Sequence, residues 1–145
     1  MPTGSLHRVV YMSTAVGVLR ADELDRIYLR AKSANTSAGI TGLMLFYEGA
    51  FLQVLEGPAA GVTSLMERIR RDRRHANLVV LESGEVTHRN FANSPMQFVA
   101  ARNLSAGEKQ AFSGLRQEVN QHQNLPVADH GLSAFLASFA AIRPA

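Results

Sequence analysis

A polar amide stands in the middle of a strand that should be buried on both sides. Between Phe51 and Leu55 every residue is apolar except Gln53, and this run follows Gly39–Phe46 after a tight Glu48-Gly49 turn. Side chains alternate along a strand, so Gln53 shares its face with Phe51 and Leu55, while Leu52 and Val54 take the other. A buried amide left without partners costs about 1–3 kcal/mol, so a polar group is expected opposite Gln53. Two readings follow: a core glutamine bonded to a neighbour, or a ligand contact. The spacing leaves both open.

The hairpin sits inside a longer alternation of periods. Leu6–Ser13 is β-branched and reads as a first strand. Ala21 to about Ala34 reads as a helix, with Asp22, Glu23 and Asp25 near its start and Leu24, Ile27, Tyr28 and Ala31 at helical spacing. After Gly57-Pro58, Ala59 to about Arg73 repeats the helical pattern with Val62, Leu65, Met66 and Ile69 inward. Leu78 to about Val86, with a bend expected at Gly84, and Met96–Ala101 are the fourth and fifth strands. The order β-α-β-β-α-β-β with right-handed crossovers predicts an α+β, ferredoxin-like sandwich with both helices on one face of a mixed sheet. Two further helices follow. Ser105-Ala-Gly-Glu108 is a capping box opening one that runs to about Gln121, before a polar stretch from His122 to Asn124. Beyond Pro126, Leu132, Phe135, Leu136, Phe139 and Ile142 form the apolar stripe of the last. That stripe covers either the open sheet face, the default expectation, or a second copy of the chain. Residues 1–102 thus form the sheet domain and 103–145 a helical extension.

Composition excludes several classes. The 145 residues contain no Cys, so there is no disulfide framework, thiolate metal site or Cys nucleophile. His7, His75, His88, His122 and His130 lack ligand-type spacing, and no metal is expected. Gly39-Ile-Thr-Gly42 lacks the Lys of a phosphate loop, no G-x-S-x-G elbow occurs, and residues 13–20 offer Arg20 without the Asn a small hydrolase on this fold would need. The chain is therefore expected not to be an enzyme. A net charge of +3 is mild, most of it from Arg68–His75, which reads as a basic helix end. The strands lack the exposed aromatic pairs that stack bases, so no nucleic-acid partner is expected. No apolar run can span a bilayer, and the first strand starts where a signal region would lie; a cytoplasmic, non-membrane protein is the expectation.

Placed on the predicted architecture, the unexplained polar residues converge. Tyr11 falls at mid-sheet on the first strand, and Gln53 lies on its expected neighbour. Asn35 ends the first helix. Arg68 and Asp72 stand i,i+4 on the second helix, a spacing that by itself describes a surface ion pair worth under about 1 kcal/mol. Two helices over a sheet leave a slot with Asn35, Arg68 and Asp72 at its edges and Tyr11 and Gln53 at its floor. A flat, mostly apolar heterocycle with a polar rim fits such a slot.

The chain resembles the BLUF domain, a blue-light sensor that binds flavin non-covalently. The resemblance rests on Val9-Val-Tyr-Met-Ser-Thr-Ala15, Asn35-Thr-Ser-Ala-Gly-Ile-Thr-Gly-Leu43, Gly49-Ala-Phe-Leu-Gln-Val-Leu-Glu-Gly57, Asp72-Arg-Arg-His75 and Arg89-Asn-Phe91 leading to Met96. These span residues 6 to about 101 in order. The resemblance implies that Tyr11 is the light-driven donor of an electron and a proton to flavin. It implies that Gln53 rearranges between Tyr11 and the ring, and that Met96 stands near Gln53. It also implies that Asn35, Arg68, Asp72 and His75 bind the flavin, FAD or alternatively FMN. Two positions depart from the family. Ser94, followed by Pro95, stands where a Trp is common, and Ala34 stands where a first of two Asn is common. The implied output runs through the fifth strand and C-terminal helices to a downstream protein, with a homo-oligomer as one form of response. The competing class is a ferredoxin-like interaction module that has lost flavin photochemistry.

Overall fold

Unbroken burial along Val9–Ser13 of β1 (Leu6–Ala15) and along all but the last residue of β3 (Ala50–Pro58) marks these two strands as the centre of the sheet. The computed structural model describes residues 5–92, 96–121 and 135–136. Along them run β1, α1 (Ala21–Ala38), β2 (Thr41–Tyr47), β3, α2 (Ala59–Arg71), β4 (His75–Glu85), β5 (Gln97–Val99) and α3 (Ala106–Gln121). The strands lie in the order β4-β1-β3-β2-β5. β1 is antiparallel to both β3 and β4, β2 is antiparallel to β3, and β5 joins β2 in parallel. This is the expected ferredoxin-like α+β arrangement with one added edge strand. Tyr11 pairs with Gln53 across β1 and β3, and Gln53 pairs with Met44 across β3 and β2, so the three form a row.

Several boundaries differ from those expected of the sequence. α1 runs one turn past Ala34 and stops at left-handed Gly39 (φ 70°), whose N–H reaches the Asn35 and Thr36 carbonyls. Gly39 is the stop signal, and Asn35 therefore lies inside the last turn. α2 ends at Arg71, short of Arg73, because Asp72 is extended (φ −74°, ψ 121°) and its carboxylate takes the Arg74 N–H at 2.9 Å. Such a side-chain turn competes with helix continuation. The β1–β4 ladder stays regular through Gly84, which pairs with Arg8; its register shifts instead between Val10 and Tyr11 and between Met12 and Thr14. Left-handed Asn77 (φ 55°) stands at the second shift, a conformation Asn tolerates. β5 is three residues long, and Met96 lies just before it.

Each face of the sheet carries its own layer. Val9, Tyr11, Met44, Phe51 and Leu55 pack against Val62, Leu65 and Met66 of α2 and against part of α1. On the other face Val10, Met12, Leu43, Leu45, Leu52 and Val54 meet Phe112, Leu115 and Val119 of α3. The capping box that opens α3 is formed: Ser105 N–H donates to Glu108 Oε1 at 2.9 Å, and Glu108 N–H donates to Ser105 Oγ at 3.1 Å. From the last apolar stripe, Phe135 and Leu136 are helical, buried, and part of this second core. Leu132, Phe139, Ile142, the His122–Asn124 stretch and Pro126 lie outside the described residues, as do Ser94 and Pro95. Among the described residues no helix is long and apolar enough to cross a membrane.

Candidate functional site

The amide that the hairpin pattern isolates has its partner. The Tyr11 hydroxyl donates to Gln53 Oε1, and both side chains are buried. The rest of the Gln53 amide faces sulfur, with Nε2 4.0 Å from Met96 Sδ. Gln53 thus stands between a phenol on β1 and a thioether at the start of β5. Burial pushes the Tyr11 phenol above its usual range, and the negative charge of Asp72 adds to the effect. Tyr11 therefore holds its proton as a neutral donor.

Met96 is fixed from outside the pair. The Tyr28 hydroxyl of α1 donates to the Met96 carbonyl at 2.9 Å, and the Tyr28 ring packs on Phe98 at 5.1 Å. His75 is held at both nitrogens, with Nδ1 2.7 Å from Ser13 Oγ and Nε2 2.7 Å from the Ile69 carbonyl. A carbonyl only accepts, so Nε2 carries the proton. His75 thereby ties the end of α2 to β1, leaving its ring near Tyr11 and Phe51 at 6.4 and 6.5 Å between centroids.

The ion pair that the i,i+4 spacing of Arg68 and Asp72 by itself describes does not form. Because α2 ends before Asp72, the helical spacing is lost, and the carboxylate is taken by Arg74 through Nε at 2.9 Å and Nη2 at 2.5 Å. Those side-chain hydrogen bonds hold the Asp72 carboxyl down at about 2, against partial burial, which works the other way.

Between α1, α2 and the sheet lies a cavity of about 330 Å³. Tyr11, Met44, Phe51 and Gln53 come from the strands, while Ile27, Ala31, Leu65 and Ile69 line it from the helices. Asn35, Arg68, Asp72 and His75 complete it, so every expected site residue except Met96 is on its wall, and Met96 joins the group through Gln53. Asn35 is fully buried whereas Arg68 is exposed, so the cavity runs from a dry floor to a charged mouth. Its volume lies within the range of small-molecule sites. Among the described residues no cluster of His, Cys, Asp or Glu is arranged to hold a metal ion.

Sequence reasoning missed Arg30 and Arg74, which also line the cavity. It also missed Glu56. This carboxylate is wholly buried on the opposite face, where it accepts from Arg8 Nε at 2.7 Å, Asn90 N–H at 2.9 Å and Phe91 N–H at 2.8 Å. Arg89 adds bonds to Thr41 Oγ1 at 3.0 Å and the Gly39 carbonyl at 2.9 Å. Together they clamp the segment leading toward Met96. An acidic residue closing an apolar strand with Arg8 on the paired strand was the available signal.

A family model described as "Sensors of blue-light using FAD" (BLUF) matches residues 6–97. The alpha subunit of the photoactivated adenylate cyclase of Euglena gracilis is 35% identical over 98 residues, covering 68% of this chain and 10% of that protein. The chain thus spans about a tenth of the length of the curated relatives it matches. Among solved structures, a bacterial light-regulated adenylyl cyclase superposes with a TM-score of 0.70 at 32% identity, over 81% of this chain and 34% of that one. BlrP1 of Klebsiella pneumoniae, in a structure with FMN and cyclic diGMP, gives 0.66 at 30% identity over 94% and 35% of the two chains. The photo-activated state of BlsA gives 0.78 at 23% identity over 97% and 98%, a likeness of fold.

Proposed function

Because this chain belongs to the BLUF family of blue-light sensors using FAD, we propose that its cavity binds a flavin whose reactive edge meets the Tyr11–Gln53 pair. The observation that carries the reading is that hydrogen-bonded pair at the floor of a cavity between two helices. The donor set suits a flavin: apolar walls for a flat ring, the buried Asn35 amide beside its carbonyl edge, and Arg68, Asp72 and His75 around the opposite edge. When bound, the flavin supplies the blue-light chromophore and the acceptor for an electron.

The remaining chemistry belongs to side chains of this protein. Tyr11, buried and neutral, is the group able to release an electron and, through Gln53, its proton. Gln53 carries a donor and an acceptor on one rotatable group, so the return of both leaves its amide rearranged. Oε1 then no longer receives the Tyr11 hydroxyl, and the Nε2 contact with Met96 changes with it. In this reading residues 1–102 are the flavin-binding unit. The signal leaves through Met96 and β5 into the 103–145 extension, whose α3 covers the far face of the sheet. We read the chain as a sensor without catalysis of its own, acting on a downstream protein or on its own assembly, in a cytoplasmic setting.

The test is an absorption spectrum of the protein reconstituted with FAD or FMN, before and after blue light. A flavin spectrum that shifts to the red and returns in the dark is expected. A protein that takes up neither flavin, or takes one up and shows no shift, contradicts the reading and favours an interaction module on the same fold.

A further inference from the structure

The helices above the cavity carry more positive charge than the site described so far uses. Three guanidinium groups line it, those of Arg30, Arg68 and Arg74, against the single carboxylate of Asp72. Arg74 and Asp72 neutralise one another. Arg68 is engaged by the ring edge in the proposed reading. Arg30 is left over. It is exposed, and the residues three and four positions from it on α1 are Arg26, Ile27, Ser33 and Ala34, none of them acidic. Asp25 stands five residues before it, off the i,i+3 and i,i+4 positions, and Asp22 is already closed on Arg26 at 3.2 Å. Among the described residues Arg30 has neither hydrogen bond nor ion pair.

Its position relative to the floor decides what it meets. Ala34, one turn further along the same face of α1, also lines the cavity and is too short to offer a polar group there. A flavin inserted with its reactive edge at the buried Tyr11–Gln53 pair must send its ribityl chain outward, toward the exposed ends of the helices. The first group on that chain able to use a guanidinium is a phosphate ester, which Arg binds through paired, charge-assisted hydrogen bonds. Resting on the flavin reading above, we propose that Arg30 is the phosphate-binding residue at the cavity mouth, so that the chain selects phosphorylated flavins over riboflavin. One guanidinium reads the ester phosphate that FMN and FAD share, so it separates both from riboflavin without separating them from each other.

The experiment is a titration of the flavin-freed protein with riboflavin, FMN and FAD, followed by flavin fluorescence, in wild type, Arg30→Gln, Arg30→Lys and Arg68→Gln. In wild type FMN and FAD should bind about tenfold more tightly than riboflavin, as one solvent-facing charge-assisted contact allows, and raised salt should narrow the gap. Arg30→Gln should remove the gap while leaving riboflavin binding unchanged, and Arg30→Lys should restore part of it. Arg68→Gln should weaken all three flavins alike, since the group it loses faces the ring. A preference for FMN and FAD that survives Arg30→Gln, an equal loss for all three ligands in that variant, or no preference in wild type overturns the assignment while the flavin site stands. Failure of all three flavins to bind wild type is the separate result that removes the site itself, and this inference with it.

Discussion

The two faces of this sheet are built from the same strands and behave as different materials. Facing α3, Val10, Leu43, Leu45, Leu52 and Val54 are essentially without solvent contact and pack into one apolar cluster, sharing the face with the clamped Glu56 carboxylate. Facing α1 and α2, the alternate residues Tyr11, Met44 and Gln53 are equally hidden but leave a cavity of about 330 Å³. One face spends its burial on packing. The other holds a hydrogen-bonded pair at the floor of a space. A single residue step along β3, from Leu52 to Gln53, separates the two roles, which is why register matters here more than composition.

Five substitutions set this contrast to work, the largest expected cost first. Glu56→Ala strips a buried carboxylate from Arg8 and from the Asn90 and Phe91 N–H groups. Removing one partner of a buried pair costs about 3–5 kcal/mol, read as a lower urea midpoint. A cost near zero would mean the clamp is decorative. Leu52→Ala opens a hole in the packed face and should cost about 2–5 kcal/mol. Its neighbour Gln53→Leu, on the cavity face, should cost less, about 1–3 kcal/mol for the Tyr11 hydroxyl left without its acceptor, offset in part by the apolar leucine. Equal losses at the two positions would erase the contrast between the faces.

Asp72→Asn breaks a part-buried pair with Arg74 that solvent still screens and should cost about 1 kcal/mol or less. Because the folded carboxyl titrates at about 2, below its ordinary 3.8, its contribution is present above pH 4 and fades as pH falls toward 2. An acid unfolding curve of Asp72→Asn that converges with wild type in that window checks the sign. Tyr11→Phe leaves the buried Gln53 Oε1 without its donor and should cost about 1–3 kcal/mol. It should nevertheless keep flavin and lose the light-induced red shift, and a normal photocycle in that variant would remove Tyr11 from its role.

Much of the architecture was legible because periodicity reports burial directly. The β1, β3 and α3 signals depend on local alternation and on one capping box, and these formed where expected. The misses occur where a side chain redirects the backbone. α2 stops early because Asp72 bonds the Arg74 N–H, and α1 continues to the left-handed Gly39 that ends it. The shifts in β4 fall between Glu82 and Val80 and again at left-handed Asn77, while Gly84 stays in register with Arg8. On the cavity wall, the places of Tyr11, Asn35, Gln53, Asp72 and His75 were legible through family motifs, and that of Arg68 through its position on the second helix. The Arg74 pairing, the exposed Arg30 and the Glu56 clamp were not, because each depends on which neighbour a long side chain reaches, and spacing along the chain does not carry that.

The most direct test of the account is a light-minus-dark difference spectrum of the flavin-loaded protein beside Gln53→Leu at equal flavin content. A reversible red shift in wild type that is absent from Gln53→Leu is the predicted result, and places the switch in the amide between Tyr11 and Met96. A shift of the same size in Gln53→Leu would return Gln53 to the status of a core residue and contradict the account.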